Sequence, residues 1–318
     1  MTDVQKQVRE FYDQVGWKPV SAPPQGGGEA EGARPQSGGE ADSALFQSVL
    51  YQNALFEDLR RVSREYIQRC HLRVGRHLVG KGKYLLDAGS GPIQYPEYLA
   101  YSEGRQYRVC ADLSITALEE ARNRLGEHGL FVVCDVTQLP FAPEVFEGAV
   151  SLHTFHHLPV EAQTTAFGEL YRVLRPGQTA VVVNGWSESP LMRAFNPLVH
   201  LSDRIRGIGR RLSGKRPKGV NTAGRVKGAG RKDKPKKGTY SQHINVEWLK
   251  EKVIARAPEE IKFEIRVWRS VSVRFLRSLM HGWLGGKLWL RLLYWMEEKR
   301  PRWFGEKGAY PLLVIHKE

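Results

Sequence analysis

The sequence predicts an α/β protein built on a doubly wound, mostly parallel sheet. Between residues 83 and 186, short apolar runs of strand length alternate with segments of helical character. This alternation is typical of a parallel sheet covered on both faces, because each crossover between parallel strands needs a helix-length connection. Two further strand-like stretches, at 262–273 and 309–316, bring the expected number of strands to seven.

Local signals support each element of this central region. The strands are expected in five apolar runs, which read KYLLDAG, YRVCADL, LFVVCDV, FEGAVSLH and TAVVVNG. Helices are expected near 95–101, at 114–125 and at 160–174. The Ser114 side chain can cap the N-terminus of the second helix, and Arg175-Pro176-Gly177 can end the third.

Three segments precede the central region. Residues 1–20 predict a short helix at 3–15, and residues 21–42, rich in Gly, Pro and Ser, predict a flexible linker. Residues 43–82 predict a helical extension in two pieces, because apolar residues recur there at helical spacing.

The alternation of strands and helices stops after the central region. Residues 187–245 predict a basic insertion, with an amphipathic helix at 190–212 followed by disorder at 213–238. Residues 246–318 are expected to complete the sheet, with a helical insertion at about 276–305 between the last two strands.

The charge of the chain is concentrated in one segment. The net charge of +14 first suggests a nucleic-acid partner. However, 14 basic and only 2 acidic residues lie between Asp203 and Lys237, which leaves a net charge of +2 for the rest of the chain. The basic segment therefore carries no information about the active site, although it could bind a partner of its own.

Cysteine usage and the N-terminus favour a cytoplasmic protein. The three cysteines, Cys70, Cys110 and Cys134, are odd in number and form no Cys-x-x-Cys pair, so we expect reduced thiols. The polar N-terminus does not resemble a signal peptide. No run of about 18 apolar residues is present, so no spanning helix is expected.

Glycines and carboxylates end three successive strands. The first strand ends in the turn 87–91, whose glycines let the backbone approach a ligand closely. Asp112 ends the second strand, where it could accept hydrogen bonds from both hydroxyls of a ribose. Asp135 ends the third and could accept one from an adenine amine, while Val136 packs against the ring. Because ligands bind beyond the carboxyl ends of parallel strands, the pattern indicates an adenosyl group.

Nicotinamide and phosphate-loop enzymes fit the sequence less well. The dinucleotide fingerprint Gly-x-Gly-x-x-Gly would require a third glycine at position 94, which is Gln94 here. The chain also has no Tyr-x-x-x-Lys pair and no Gly-x-x-x-x-Gly-Lys-Ser/Thr loop.

Residues 84–185 resemble the class I S-adenosylmethionine-dependent methyltransferases, in particular the branch of the ubiquinone and menaquinone C-methyltransferases. The matching motifs are YLLDAGSG, the acid Asp112, CDVTQLPF, VFEGAVSLHTFHHLP and ELYRVLRPGQTAVVV. The resemblance implies a Rossmann-like sheet of seven strands with an antiparallel C-terminal strand and helical insertions. It also implies that residues 83–186 form the S-adenosylmethionine-binding core.

The resemblance assigns roles to individual residues. Gly89 and Gly91 would approach the methionine part, Asp112 would hold the ribose, and Tyr12 would belong to an N-terminal lid helix. The expected cofactor-binding residues are Tyr12, Asp87, Gly89, Ser90, Gly91, Asp112, Leu113, Asp135, Val136 and His153. Two positions depart from the family pattern: Ile93 replaces a third glycine, and Glu147 replaces an aspartate. Neither change removes a ligand.

Methyl transfer from a sulfonium is an in-line displacement, so the protein mainly supplies orientation and a dry site. A nearby base would assist a hydroxyl, amine or phenol nucleophile. The candidates are His153, His156 and His157, which follow the fourth strand, and Tyr95, which follows the glycine turn. The histidines could instead shape the loop or cap the next helix. No metal site is expected, because no acid or cysteine lies near the histidines in sequence.

The acceptor should be chosen by the parts of the chain outside the motifs. The 276–305 insertion contains four tryptophans, which predict either core packing or a surface for a membrane or an apolar substrate. The adjacent basic segment would favour anionic lipid. The leading hypothesis is therefore a small-molecule methyltransferase, acting on an apolar or lipid-linked acceptor at a membrane surface.

Two other functions stay open. An RNA or DNA methyltransferase could grip phosphates with the basic segment, but the sequence Ser151-Leu152-His153-Thr154 stands where base methyltransferases carry Asn/Asp-Pro-Pro-Tyr/Phe. A nucleic-acid substrate is therefore disfavoured. A non-catalytic protein that has kept the cofactor fold is the third hypothesis.

Overall fold

Seven strands form one sheet in the structure, a computed structural model that describes residues 1–17, 57–78, 80–212 and 239–318. The strands are β1 Gly82–Ala88, β2 Arg105–Asp112, β3 Gly129–Val133, β4 Ala149–Leu152, β5 Thr179–Val183, β6 Ile261–Arg269 and β7 Tyr310–Lys317. Their order is β3-β2-β1-β4-β5-β7-β6. Strands β1 to β5 are parallel, and β7 runs antiparallel to both of its neighbours. The predicted fold class is confirmed.

Nine α-helices lie in the described part of the chain. They are α1 Asp3–Phe11, α2 Arg64–Leu72, α3 Ile115–Leu125, α4 Val160–Val173, α5 Pro190–Leu212, α6 Val246–Lys252, α7 Val273–Leu279, α8 Gly286–Lys299 and α9 Pro301–Lys307. As the sequence predicted, the Ser114 hydroxyl caps α3 by accepting from the backbone N–H of Ala117 at 3.1 Å.

The structure refines three helix predictions. The segment near 95–101 is the 3₁₀ helix Pro96–Ser102, whose proline at the first turn cannot donate a hydrogen bond. The insertion at 276–305 is not one helix, because Gly285 at a φ of +70° and Pro301 separate α7, α8 and α9. Of the predicted extension at 43–82, the structure describes α2 and the 3₁₀ helix Val74–His77, whereas residues 43–56 lie outside the described part of the chain. The predicted linker at 21–42 and the predicted disorder at 213–238 lie outside the described residues.

Two apolar clusters cover the two faces of the sheet, and a third lies among the helices. Strand β5 contributes alternately to both faces, with Ala180 and Val182 in one cluster and Val181 and Val183 in the other. The period of two expected of a strand buried on both sides is thus retained. The third cluster joins α2, α7 and α8, with Tyr66, Leu276 and Leu290 among its members.

A buried carboxylate links this helical layer to the sheet. Glu297 on α8 accepts hydrogen bonds from the Tyr66 hydroxyl at 2.7 Å and from the backbone N–H of Ser270 at 2.9 Å. Its other oxygen forms an ion pair with Arg73 at 2.9 Å. Because Glu297 is fully buried, these contacts compensate for its loss of hydration. In the described part of the chain, no helix is both long and apolar enough to cross a membrane.

Candidate active site

A cavity of about 570 Å³ lies at the carboxyl ends of β1 to β4, where it is covered by α1. Residues that follow the first three strands, including Gly89, Asp112 and Asp135, all line it. The volume lies within the usual range for small-molecule sites. The structure therefore brings together the three strand ends that the sequence singled out.

The turn after β1 can be built only with glycine. Gly89 has a φ of +73°, and a Cβ atom placed on it would lie 2.2 Å from Cγ2 of Thr154. Gly91 has a φ of +54°, and its Cβ would lie 3.2 Å from the Trp17 ring. Side chains rarely adopt such φ values, so the two glycines keep the backbone open towards the cavity. Ser90, between them, also lines the cavity.

Asp112 is held by the backbone of two loops. Its Oδ2 accepts from the N–H of Gly91 at 2.9 Å, and its Oδ1 accepts from the N–H of Ser114 at 2.8 Å. Burial raises the pKa of this carboxyl to about 6, although the two N–H groups lower it. The carboxylate thus ties the β1 and β2 loops together and lines the cavity beside Leu113.

Asp87, also expected to bind the cofactor, is occupied by another partner. Its Oδ2 accepts from Nε of Arg108 at 3.0 Å and from Nη2 at 2.5 Å. Both side chains are almost fully buried. Asp87 lines the cavity, but this ion pair makes it a support for the turn after β1.

The acid after β3 contacts the N-terminal helix. Asp135 Oδ1 accepts from the N–H of Thr137 at 2.9 Å, and Oδ2 accepts from the side-chain amide of Gln5 on α1. Val136 is buried next to it and lines the cavity. Asp135 is thus contacted by Gln5, a residue of α1 that the sequence analysis did not single out.

Tyr12 joins the N-terminal segment to the loop after β4. Its ring stacks on Trp17 with centroids 4.7 Å apart, and its hydroxyl lies 2.7 Å from Nε2 of His157. Burial, with the nearby charge of Asp112, raises the pKa of the Tyr12 hydroxyl, which stays protonated. A second lid contact joins Asp13 to the Ser114 hydroxyl, which donates to it.

The three predicted histidines have little capacity as bases. Burial lowers the pKa of His153 to about 3 and that of His157 to about 4, and it moves the pKa of His156 well below the usual range. The Nδ1 of His157 donates to the Tyr240 carbonyl at 2.7 Å, so its Nε2 accepts from Tyr12. Both nitrogens of His157 are therefore engaged in holding the lid.

His153 and Tyr95 line the cavity without an obvious base function. His153 has a φ of +55°, a strained conformation that is uncommon outside functional sites for residues other than glycine. Tyr95 lies in the cavity wall, and burial raises the pKa of its hydroxyl. Within the described ranges, no group of three or more His, Cys, Asp or Glu side chains could hold a metal ion.

Sequence reasoning missed the opposite end of the cavity. Glu57, Trp268, Arg269 and Tyr310 line it there, together with Tyr98. They come from four distant segments that share no motif, so their convergence depends on the β7–β6 pairing. The only sequence signal for this convergence was the pair of strand-like runs at 262–273 and 309–316.

Comparison with known proteins identifies the class. Residues 86–182 match the family model of a methyltransferase domain. No curated protein matches the chain. Geranyl diphosphate C-methyltransferase from Streptomyces coelicolor A3(2), solved with Mg²⁺, geranyl diphosphate and S-adenosyl-L-homocysteine, superposes with a TM-score of 0.51 and 14% identity. The superposition covers 100% of this chain and 99% of that protein.

Two other solved structures superpose less well. Phosphoethanolamine N-methyltransferase 2 from Haemonchus contortus gives a TM-score of 0.43 and 16% identity, covering 79% of this chain and 52% of that one. A putative methyltransferase in complex with the Trm112 activator, from Haloferax volcanii, gives a TM-score of 0.34 and 22% identity, covering 38% of this chain and 53% of that one. The chain thus spans about half the length of these two proteins.

Residues 86–182 thus match a methyltransferase domain, within a fold shared with a solved methyltransferase. The chain carries an S-adenosylmethionine-dependent methyltransferase domain, which is an enzyme domain with S-adenosylmethionine as its cofactor. The turn at Gly89 has no room for a Cβ atom, so its backbone stays open to the cavity. This open backbone and the carboxylate of Asp112 fit the cofactor.

Proposed function

We propose that the enzyme methylates a small, apolar or lipid-linked acceptor. The observation that carries this proposal is the continuity of one cavity, from the strand ends that suit the cofactor to an end lined by Tyr95, Tyr98, Trp268 and Tyr310. Aromatic walls favour an apolar ligand with a few polar contacts. The acceptor and the cofactor would then lie in the same enclosed space.

Orientation and exclusion of water supply the catalysis in this proposal. When bound, the cofactor supplies a methyl group on a sulfonium, ready for in-line displacement. The chain's own contribution is to hold the two reactants in line, which can lower a barrier by about 7–11 kcal/mol. The low pKa values of His153 and His157 favour this mechanism over general-base catalysis near pH 7.

The cofactor-binding roles remain those expected from the sequence. Gly89, Ser90 and Gly91 would face the methionine part, and Asp112 with Leu113 would face the ribose. Asp135 and Val136 would face the adenine, since they follow the next strand of the sheet. Tyr12 would close over the cofactor through its bond to His157.

An exposed apolar surface on the helical layer supports access to a lipid-linked acceptor. Trp283 is 82% exposed, Trp289 60% and Trp295 56%, and Leu288 between them is 70% exposed. We call these four side chains the tryptophan face. Such exposure is unusual for tryptophan in water but is typical of the membrane interface.

Basic charge accompanies the tryptophan face. Lys287 and Arg291 lie on the same helix, α8. The basic segment 204–238 follows the start of α5, which packs against α7 and also exposes Leu198, Leu201 and Ile205. Lys and Arg near a bilayer are attracted to anionic headgroups. We therefore propose that the enzyme acts at an anionic membrane surface, on the cytoplasmic side that the sequence favours.

The methyl acceptor can be tested directly. The protein, isotopically labelled S-adenosylmethionine and a cell extract are incubated, and label is measured separately in organic-soluble metabolites, RNA and DNA. We expect label in the organic-soluble fraction, and none with Asp112→Ala. Label confined to nucleic acid would establish the alternative substrate class, and no label in any fraction would favour the non-catalytic hypothesis.

Membrane association has its own test. The variant Trp283→Ser/Trp289→Ser/Trp295→Ser is sedimented with phosphatidylcholine vesicles that contain or lack phosphatidylglycerol. We expect the wild type to pellet with the anionic vesicles and the variant to stay in solution. Ile115→Ser/Val133→Ser, which removes comparably exposed apolar residues of α3 and β3, is the control. Equal pelleting of wild type and triple variant would overturn the membrane assignment.

A further inference from the structure

We propose that Trp268, Arg269 and Glu57 form a recognition site for an uncharged oxygen of the acceptor, such as a hydroxyl or carbonyl. The inference rests on the proposed function, because it assigns the polar contact within the same acceptor end of the cavity. It adds a substrate feature that the aromatic walls alone do not define.

An irregularity in β6 places two consecutive side chains at this site. Val267 pairs with Pro311 and Arg269 pairs with Tyr310, so Trp268 is an extra residue without a partner across the ladder. Side chains normally alternate between the two faces of a strand, whereas a bulge re-aims one of them. Trp268 and Arg269 consequently both line the cavity.

Ring contacts join the bulge to the cofactor end. The Trp268 ring lies edge-to-face with His153, with centroids 4.8 Å apart. His153 follows β4 directly, beside the glycine turn that Thr154 contacts. The guanidinium of Arg269 lies 4.5 Å from the Tyr310 ring centroid. These contacts fix both donors in a wall shared by the two ends of the cavity.

Each of the two side chains has an unused donor. Among the described residues, neither Nε1 of Trp268 nor Nε of Arg269 has a hydrogen-bond partner, although both side chains are about 2% exposed. An unpaired buried donor is costly, and few occur in folded proteins. Each nitrogen itself has almost no accessible surface, so a ligand oxygen reaches it only when the cavity wall adjusts around the ligand. Two such donors on adjacent lining residues point to that use.

Glu57 determines the charge that the site accepts. Its Oε1 accepts from Nη1 of Arg269 and from the N–H of Asp58, the latter at 2.9 Å. Burial raises the pKa of Glu57, but the charge of Arg269 and the hydrogen bonds from Asp58 and Arg269 together lower it below its usual value, so the carboxylate stays ionised. The positive charge of Arg269 is already compensated, which favours a neutral oxygen over an anion.

The test uses phenol, benzene and benzoate as probes of the full-length protein saturated with S-adenosylhomocysteine. Phenol and benzene differ by one hydroxyl, and benzoate adds a full charge. Binding is followed through the indole N–H resonance of Trp268, assigned by its loss in Trp268→Phe. The Trp186 indole is an internal control, since its Nε1 already donates to the Gly305 carbonyl at 2.7 Å.

We expect phenol to move the Trp268 resonance downfield and to bind about fivefold more tightly than benzene, as one or two hydrogen bonds would give. Trp268→Phe should abolish that preference without changing affinity for S-adenosylhomocysteine. Glu57→Gln should shift the preference towards benzoate, because it leaves Arg269 uncompensated.

Three outcomes would overturn the assignment. They are equal binding of phenol and benzene, a Trp268 resonance that does not respond to phenol, and wild-type preference for benzoate. In the first two, water alone would satisfy the donors. Failure of methyl transfer would leave these probe measurements unaffected, so the two proposals can fail separately.

Discussion

Asp112 illustrates how one side chain can combine binding with a dependence on pH. It is half-buried, its pKa is raised to about 6, and it anchors the N–H groups of two loops. An ionised carboxylate accepts hydrogen bonds from ribose hydroxyls, whereas the protonated form accepts fewer. Cofactor binding should therefore favour the ionised form.

Affinity for S-adenosylhomocysteine should decline as the pH falls below 6. The expected slope approaches about tenfold for each pH unit, because binding then requires loss of a proton. Without ligand, folding stability depends on pH with the opposite sign. The raised pKa of Asp112 contributes stability at low pH, and this stability is lost as the pH rises through 6. Isothermal titration between pH 5 and pH 8 measures the effect. Asp112→Asn should bind weakly with a flat profile, and an equally flat wild-type profile would contradict the assignment.

Gly89→Ala should weaken cofactor binding severely. The new Cβ would overlap the Thr154 side chain, and the φ of +73° would also be strained. Gly177→Ala is the matched control, since Gly177 has a φ of +76° but no neighbour within 4 Å of its Cβ position. We expect both variants to lose about 1 kcal/mol of unfolding free energy from backbone strain. Only Gly89→Ala should also lose S-adenosylhomocysteine affinity. Equal affinities of the two variants would contradict the assignment of the Gly89 turn to the cofactor.

The sequence predicted half of the site for a physical reason. Gly89, Asp112 and Asp135 each follow an apolar run, and parallel strands place such positions at one edge of the sheet. Glu57 and Trp268 have no comparable constraint, because their positions depend on a bulge and on long-range packing. The sequence also could not show that Arg108 engages Asp87, since neither residue's burial follows from its neighbours in sequence.

Among the elements, α1 covers the end of the cavity that is proposed to hold the cofactor. It reaches Asp135 through Gln5 and is continued by a π-helical turn that contains Tyr12. The helix has a capping box, with Thr2 and Gln5 bonded to each other's backbone, but no fully buried residue. Polar contacts therefore hold it in place, and it can open more readily than the core helices.

Tyr12→Phe should accelerate release of S-adenosylhomocysteine about fivefold. The substitution keeps the stacking on Trp17 and removes only the hydrogen bond to His157, worth about 1 kcal/mol. Surface plasmon resonance gives the dissociation rate. Tyr107→Phe, a half-buried tyrosine outside the cavity, is the control. A dissociation rate unchanged in both variants would show that α1 does not limit release.

Element boundaries were predicted well where caps were present and poorly where they were not. Ser114 located the start of α3 to the residue. In the 276–305 insertion, apolar residues at helical spacing suggested one helix, yet two turns divide it. The available sequence signal was the glycine at 285. Glycine readily adopts the left-handed conformation found there, which commonly ends or begins a helix.

For the whole molecule, Glu297 couples the helical layer to the sheet. Glu297→Gln should reduce the free energy of unfolding in urea by about 3 kcal/mol, because it leaves the buried Arg73 partly uncompensated. Glu298→Gln removes a 39% exposed partner of the same arginine and should cost under about 1 kcal/mol. Similar losses for both would mean that burial of Glu297 contributes no extra coupling.

The global architecture was predictable in class but not in every detail. Alternating strands and helices imply parallel pairing from β1 to β5. The antiparallel direction of β7 was implied only by resemblance, because the connection through α7, α8 and α9 could in principle support either direction. The sequence showed that the 276–305 insertion is rich in tryptophan. Only the structure shows that Trp283 is exposed whereas Trp268 is buried.

The strand order also constrains how the protein is made. Among the described strands, β6 pairs with β7 alone, and β7 lies between β6 and β5. During translation β6 emerges before β7, so β6 has no strand to pair with until α7, α8, α9 and then β7 have been synthesised. Until then the nascent chain exposes the free edge of β5, a surface prone to aggregation. A chaperone that shields this edge would thus act until β7 has left the ribosome and paired with β5.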